Sequence, residues 1–318
     1  MSWSNAVYVD VIIVNWNSGA QLSAAVLSIV EHGCSVSKVV VVDNSSSDDS
    51  IAILESVRDK CPFQLIVLKN DKNRGFGAAC NQGALECDSP YILFLNPDAR
   101  LKHGTLQTSM EFMEKIENSH IGICGVQLIE ESGRVARSCS RFPSVKGFFA
   151  YTLGFDRLFP RMGILMTEWD HLNTQEVDQI IGACFLVRRS VFETLHGFDE
   201  RFFVYFEEVD FSYRAHLLGW RSMYLADVQA FHAGGGTSRQ IKARRLFYAL
   251  RSRLLYVHKH FSRPAAVAVL LMTLILEPLS RSAFALARCS WLNLRETWVA
   301  YGLLWRWLPQ WVFKGVTQ

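Results

Sequence analysis

Tyr91-Ile-Leu-Phe-Leu-Asn-Pro-Asp98 is the stretch on which the reading of this chain turns. Five apolar or aromatic residues, Tyr91 to Leu95, run straight into Asn96, Pro97 and Asp98. An unbroken β-prone run of this kind predicts a strand buried on both faces. Pro97 cannot continue a hydrogen-bonded ladder, so the strand stops there and Asp98 emerges at its carboxyl end. Open α/β sheets place their ligands at that edge. A carboxylate there can bind a divalent cation, and the cation can hold a diphosphate. The plainer alternative is an Asp in the turn that follows a strand.

The chain on either side repeats the pattern. Val9 to Val14, broken only by Asp10, predicts a strand that ends at Asn15-Trp16-Asn17-Ser18, with Asn17 or Ser18 as a helix cap. Leu22, Val26, Leu27 and Val30 then follow at helical spacing. Lys38 to Val42 predicts a second strand, ending at Asp43-Asn-Ser-Ser-Ser-Asp48, and a helix carries Ile51, Leu54 and Val57. Phe63 to Leu68 predicts a third strand, and Asn73-Arg-Gly-Phe-Gly-Ala-Ala79 opens a helix through Leu85. Strands alternating with helices imply βαβ units, a mainly parallel sheet, and polar clusters gathered on one edge.

Beyond that sheet, Leu101 to Ile116 reads as a helix and Ile121 to Ile129 as a strand. Gly133 to Gly163 reads as a mobile loop over the pocket. Ile180 to Val187 is a further strand interrupted by Gly182, a residue that often marks close approach of a ligand or another backbone. Ser190 to Leu195 is a short helix ended by His196-Gly197. Phe202-Phe-Val-Tyr-Phe206 then leads into Glu207-Glu208-Val209-Asp210. Three carboxylates beside an aromatic run suit a site better than a solvated face. Glu207 and Asp210 share a helical face. A Glu208 facing an apolar wall would have a raised pKa and act as a better base. An acidic first turn stabilised by the helix dipole is the alternative. Tyr224 to Ala230 reaches Phe231-His232 and a glycine run, where a histidine can approach a metal or phosphate, or simply pack in a loop.

The 318 residues are 50% hydrophobic and 20% charged, ample for one large core or a domain with an appendage, and the net charge of +3 is small. Eight cysteines without a CxxC pair predict reduced thiols of a cytosolic protein, and nothing has zinc spacing. No secretory signal is expected at the N-terminus. Gly75-Phe-Gly77 lacks the third glycine of a dinucleotide fingerprint and does not directly follow a strand.

These motifs together resemble the family-two glycosyltransferases with a GT-A fold, most closely the bacterial rhamnosyltransferase-like branch. The likeness runs through Val11-Ile-Ile-Val-Asn-Trp-Asn17, Val41-Val-Asp-Asn-Ser45, Asn73-Arg-Gly-Phe-Gly77 with Asn81 and Gly83, and Phe94-Leu-Asn-Pro-Asp98. It continues through Gly182-Ala-Cys184, Gly197-Phe-Asp-Glu-Arg-Phe202, Tyr205-Phe-Glu-Glu-Val-Asp210 and His232, in the family's order over residues 8–240. The resemblance implies an α/β, Rossmann-like sheet and an inverting hexosyltransferase. Asp43 would bind the base or ribose of a nucleotide-sugar donor, and Asn15 and Asn17 would line the nucleotide pocket. Arg74, with the backbone of Gly75 and Gly77, would border the donor; Asn73, Asn96 and Gly182 join this donor-side set. Asp98 would be the last residue of a DxD-like motif holding Mg²⁺ or Mn²⁺, with His232 as a further ligand. Glu208 sits where the family places its base, with Glu207 as rival and Asp210 in the same acidic cluster. Asn96 in place of the first Asp, and Glu in place of the usual Asp base, depart from the pattern.

A catalytic domain is expected over 1–237, its donor half at about 8–100 and its acceptor and base half at about 101–237. The remainder, 238–318, is expected to be a basic, hydrophobic helical extension. Arg239 to Arg263 holds eight Lys or Arg and no acid, interleaved with apolar residues at helical spacing. Pro264 to Leu276 is apolar apart from Thr273, stops at Glu277-Pro278, and is too short for the ~20 residues of a span. Trp291, Trp298, Trp305, Trp307 and Trp311 follow, among Arg295, Arg306 and Lys314. Basic, aromatic, amphipathic helices suit a membrane interface, so peripheral contact through 239–311 with the cytoplasmic leaflet is expected, near a glycan or polyprenyl-diphosphate-linked acceptor. Packing on the catalytic domain or on a second subunit is the alternative. No nucleic-acid module accompanies the basic stretch. The donor expected is a dTDP-rhamnose-type or UDP-sugar. A nucleotidyltransferase lacks its basic N-terminal glycine loop here, and a catalytically inactive glycan- or membrane-binding relative is the non-enzymatic alternative.

Overall fold

The computed structural model describes residues 8–33, 35–234 and 242–317. Gly235 and Gly236 of the glycine run after His232, Arg239 and the expected boundary at 237/238 lie outside the described residues. The chain forms two compact units. The first is Met1–Ser140, Asp170–Asp199 and Glu208–Thr237; the second is Arg141–Trp169, Glu200–Glu207 and Ser238–Gln318. Neither unit follows from a single cut in the sequence.

The first unit opens with β1 (Val9–Asn15), α1 (Ala20–His32), β2 (Val36–Asp43), α2 (Ser50–Glu55), β3 (Gln64–Lys69), α3 (Phe76–Ala84) and β4 (Tyr91–Leu95). These four strands are parallel in the order β3-β2-β1-β4. Alternate side chains of β1 enter opposite layers. Val9, Val11 and Ile13 join Leu22, Val26 and Ile29 of α1 in one core. On the other face a Cβ on Gly83 of α3 would lie 2.8 Å from Ile12 and 3.2 Å from Val42, so only glycine lets that helix sit so close. Burial on both faces is why the strands read as continuous apolar runs, each fully buried Val, Leu or Ile being worth ~1.5–3 kcal/mol. Asp10, the one break in β1, is fully buried and accepts the Asp88 and Ser89 amides at 2.9 Å, fixing the turn into β4.

The chain then adds β5 (Ala99–Leu101), α4 (Thr105–Glu114), β6 (Ile121–Ile129) and β7 (Cys139–Ser140). The expected helix from Leu101 therefore starts later, because Leu101 is taken by an edge strand whose partner comes some 130 residues on. In the second unit, α5 (Val145–Leu153) and α6 (Phe155–Leu158) occupy the later part of the segment read as a mobile loop. The Ser144 hydroxyl accepts the Gly147 amide at 3.0 Å as the cap of α5, a local signal for a helix.

Returning to the first unit, β8 (Gln175–Val177), β9 (Gln179–Ile180) and β10 (Cys184–Arg188) follow. The expected strand over Ile180–Val187 is thus two. Its first part pairs with β7 in a small two-stranded sheet, and its second lies antiparallel between β4 and β6. Next come α7 (Arg189–Thr194), α8 (Glu207–Leu217) and β11 (Arg221–His232). Among the described residues, nine strands complete the sheet in the order β3-β2-β1-β4-β10-β6-β11-β5, with β8 beside β11.

The rest of the second unit is helical: α9 (Lys242–His260), α10 (Arg263–Leu271), α11 (Glu277–Ala287) and α12 (Trp291–Lys314). Helix does not stop at Glu277-Pro278. A π-helical turn at Met272–Leu276 joins α10 to α11 in one 25-residue helix, Arg263–Ala287. The wider turn accommodates Pro278, which lacks an N–H and crowds the preceding carbonyls. By length and composition alone this helix is sufficient to cross a membrane.

The basic stretch is not a free surface. Arg251 is buried among Phe203, Phe247 and Tyr248, its guanidinium 5.0–5.5 Å from each ring. Burial lowers its pKa to about 10. Arg253 pairs with buried Glu277, and Arg245 donates to the Tyr205 hydroxyl at 3.2 Å. Lys242 and Arg244 stay exposed at its start, and the exposed apolar repeats lie further on. Trp291, Trp298, Trp305 and Val312 form a seven-residue repeat on α12, and Val267, Leu271, Ile275 and Leu279 form a four-residue repeat along α10–α11.

Candidate active site

In the parallel order β3-β2-β1-β4, β1 is followed on one side by β2 and has β4 on the other, so the strand order reverses at β1 and β4. A crevice opens at the carboxyl ends of such strands. Asn15 ends β1, and Asn96-Pro97-Asp98 follows β4.

The loops after β1 and β2 are cross-linked side chain by side chain. The Asn15 amide nitrogen donates to Asp43 Oδ1 at 2.8 Å, and the Ser50 and Ser46 hydroxyls lie at 2.8 and 3.0 Å from it. The Ser18 hydroxyl donates to Asn15 Oδ1. The Asn17 amide donates to the Ser46 hydroxyl at 2.9 Å, and Asn17 Oδ1 accepts the Ser47 amide at 2.7 Å. Contrary to the expectation from sequence, neither Asn17 nor Ser18 caps α1; Gly19 occupies that position, and its amide donates to Asp48. Burial works against the ionised Asp48 carboxylate, but bonds from Ser50 and Gly19 outweigh it and hold the group below its usual range. Asn15 is thus wholly buried and serves as the strut that sets Asp43 in place.

Asn44, which the sequence did not single out, ties in the third loop. Its amide donates to the Gly75 carbonyl at 3.1 Å and its Oδ1 accepts from Asn70 at 3.0 Å. Asn73 Oδ1 accepts the Gly75 amide at 2.9 Å. Gly75 has φ +87°, so the turn into α3 requires glycine. Arg74 lies within this turn, with a guanidinium nitrogen 3.3 Å from Gln82 Oε1. Gly182 lies against Phe76 at the start of α3, but a Cβ there would come no nearer than 3.7 Å, so close approach does not require the glycine.

Across the crevice, the Asn96 amide donates to the Ala183 carbonyl at 2.9 Å, setting Asn96 beside the Gly182 segment. The edge strand β5 pairs antiparallel with β11, placing His232 opposite Ala99, and the Ala233 amide donates to the Asp98 carbonyl at 3.1 Å. His232 Nε2 therefore comes to 3.4 Å from Asp98 Oδ1, with both side chains mostly buried. No third His, Cys, Asp or Glu among the described residues completes a metal-binding group with them. One carboxylate and one imidazole suit Mg²⁺ or Mn²⁺, which keep most positions for water and substrate phosphates.

Glu207 and Glu208 open α8. Phe211, fully buried in that helix, packs on Phe185 of β10 and on Phe192 and Phe198 at 5.1–6.0 Å between centroids. Tyr205 and Phe206 enter the helix with φ +68° and +71°, a conformation costly for aromatic residues. Glu208 Oε2 is sealed from solvent and accepts no hydrogen bond. Burial raises the Glu208 pKa above its ordinary value. Asp210 has a different surrounding: Arg214 donates to it at 2.7 Å and also to the Leu195 and Gly197 carbonyls. That arrangement, with the two bonds at 2.8 Å between Asn81 and Phe198, holds the loop at Gly197, whose φ is +72°.

A polar, loop-built crevice at a strand-order reversal, with a carboxylate–imidazole pair and a buried carboxylate, is the frame in which the comparisons fall. The family model described as Glycosyl transferase family 2 matches residues 10–195, more than half of the chain. The chain belongs to that family. Among relatives, an N-acetylglucosaminyl-diphospho-decaprenol L-rhamnosyltransferase of Mycobacterium tuberculosis is 26% identical over 242 residues, covering 70% of this chain and 75% of the relative. The rhamnosyltransferase WbbL of Escherichia coli is 29% identical over 174 residues, covering 54% of this chain and 62% of the relative. Among solved structures, the mannosyltransferase PcManGT of Pyrobaculum calidifontis, in complex with GDP-Man and Mn²⁺, superposes with a TM-score of 0.57 at 15% identity, over 98% of this chain and 88% of that one. This glycosyltransferase therefore has the GT-A fold expected from its motifs, with helices following the sheet.

Proposed function

We propose that this glycosyltransferase is inverting and metal-dependent, and that it moves a sugar from a nucleoside diphosphate to a hydroxyl of a lipid-linked saccharide in cell-surface polysaccharide synthesis. Rhamnose from a dTDP-linked donor is the leading candidate, supported by the names of the mycobacterial and E. coli relatives. The observation that carries the reading is the Asp98–His232 pair at the carboxyl edge of a sheet whose loops at Asn15, Asp43 and Asn73–Gly75 are bonded in place.

Asp98 and His232 would hold a Mg²⁺ or Mn²⁺ ion, which when bound supplies positive charge to a leaving diphosphate. The Asp43 carboxylate, positioned by Asn15, is an acceptor for donor hydroxyl or base N–H groups. Glu208 takes the proton of the acceptor hydroxyl as that oxygen attacks the anomeric carbon from the side opposite the diphosphate, so configuration inverts. Its raised pKa makes it a stronger base, and its unpartnered oxygen is a place for the incoming proton. Glu207 is the rival base. Asp210 is assigned to positioning, since Arg214 already engages it.

The membrane contact is assigned to the exposed faces of α10–α12 rather than to the basic face of α9. From Arg263 to Thr317 the exposed charges are Arg263, Arg288, Arg295, Arg306 and Lys314, while Glu277 is buried and Glu296 accepts the Ala243 amide. Apolar repeats rimmed only by cations suit the anionic inner face of the cytoplasmic membrane.

Hydrolysis of a panel of dTDP-, UDP- and GDP-sugars with Mn²⁺, Mg²⁺ or EDTA tests the catalytic reading. Slow, metal-dependent release of one nucleoside diphosphate is expected. Release that persists in EDTA removes the metal, and failure of every donor to bind turns the reading toward an inactive glycan- or membrane-binding relative.

A further inference from the structure

We propose that a cavity in the second unit, walled by α5, α6 and α11, binds a glycosyl phosphate carried at the membrane. This rests on the reading of a lipid-linked acceptor and names a subsite for it outside the GT-A sheet. The enclosed part of the cavity measures about 80 Å³, and the rest of it is open to solvent.

Its polar lining is unevenly satisfied. Arg281 donates through Nε and Nη2 to buried Glu277 at 2.9 and 2.7 Å, and Nη2 also reaches the Tyr151 hydroxyl at 3.3 Å. The Arg157 side chain makes no ion pair or hydrogen bond among the described residues; its guanidinium lies 5.1 Å over the Phe284 ring. Thr152, 3% exposed, has a buried hydroxyl without a partner. These are donors for an oxyanion, and a guanidinium offers a fork matched to phosphate.

The opposing charge selects the ligand further. Asp156 Oδ1 is also buried and accepts no bond. Arg157, Arg281 and the Arg253 that pairs with Glu277 outnumber Asp156 and Glu277 by one, so an anion is still favoured. A bare phosphate would leave Asp156 unmet, whereas a phosphate carrying sugar hydroxyls supplies it with a donor. Gly154 joins α5 to α6 at φ +75°, and a Cβ there would lie 3.1 Å from Phe284, so the ring keeps its place only beside glycine.

The test uses the full chain. Sedimentation with phosphatidylcholine vesicles doped with polyprenyl phosphoglucose is compared with vesicles doped to equal charge with phosphatidylglycerol. Saturation-transfer NMR follows glucose 1-phosphate and inorganic phosphate in solution. Wild type is expected to prefer the phosphoglucose vesicles and glucose 1-phosphate, and Arg157→Gln and Thr152→Val each to weaken that preference, on the order of tenfold for Arg157→Gln. Binding to phosphatidylglycerol vesicles and donor hydrolysis should be unchanged. Equal binding of both anionic vesicles by wild type, or a preference intact in both variants, overturns the proposal while leaving the membrane reading standing. If wild type binds no vesicle, the membrane reading falls, and the cavity is judged on glucose 1-phosphate alone: binding lost in Arg157→Gln supports the sugar-phosphate site, and absence of binding removes it.

Discussion

The donor wall and the start of α8 treat polar groups in opposite ways. Around Asn15, Asp43 and Asn44 each loop is bonded to the next, so the wall is set before any ligand arrives. At Glu208 a carboxylate oxygen is buried with nothing to accept from. A satisfied network is rigid and cheap to keep, whereas an unsatisfied buried carboxylate costs stability and stays reactive. The contrast separates binding, which needs pre-organisation, from proton transfer, which needs unmet capacity.

The largest expected effect breaks the contrast on its reactive side. Glu208→Gln should lower kcat ~10²–10⁴-fold with donor affinity retained, measured by transfer assay beside calorimetric donor titration. An active variant returns the role to Glu207. On the satisfied side, Asn15→Ala removes one bond each from Asp43, Ser46 and Ser50 and should cost about 2–4 kcal/mol in a denaturant melt. A near-neutral result would mean the wall is not held by this residue. Between these regions, Asp98→Asn should raise the Mn²⁺ or Mg²⁺ concentration for half-maximal activity on the order of 10–100-fold, read as a metal titration of donor hydrolysis.

The pH dependence sharpens the comparison with a smaller effect. Burial raises the folded-state pKa of Glu208, so the folded protein holds that proton more tightly than the unfolded chain. Its contribution to stability is fully present below the unfolded pKa and is lost as pH rises through the raised value. At neutral pH the ionised group is therefore a burden, and Glu208→Gln should melt at a higher temperature than wild type while being inactive. Turnover, which needs the ionised base, should fall in acid through a pKa above the usual glutamate value. The smallest change in stability is expected from Trp298→Ala with Trp305→Ala. Both rings are exposed, so thermal stability should move by no more than ~0.5 kcal/mol each while anionic-vesicle binding drops. Unaltered vesicle binding would take the membrane contact away from α12.

Much of the site was legible because it is local. Asp98 sits at a strand end marked by Pro97, and Gly75 at a turn that needs its positive φ. Asn15 was legible as part of a polar strand end, but its work as a strut for Asp43 was not, because neither residue type nor spacing shows which atoms meet. Asn44 was missed for the same reason. The edge strand β5 escaped notice because three residues carry no period, and its pairing with β11 depends on chain more than a hundred residues away. The segment from Gly133 to Gly163 was misread because its Gly, Arg and Phe content hid a capped helix.

By itself the sequence determined the alternation of strand and helix, the polar clusters on one edge of the sheet, and the family to which those motifs belong. These follow from side-chain periodicity and backbone limits that act over a few residues. Tertiary structure alone decided that the pairing of β5 with β11 is what brings His232 to Asp98, that Arg214 engages Asp210 while Glu208 keeps an unmet oxygen, and that Arg251 and Arg253 turn inward. Those outcomes depend on desolvation and pairing between distant segments, which only the folded chain brings together.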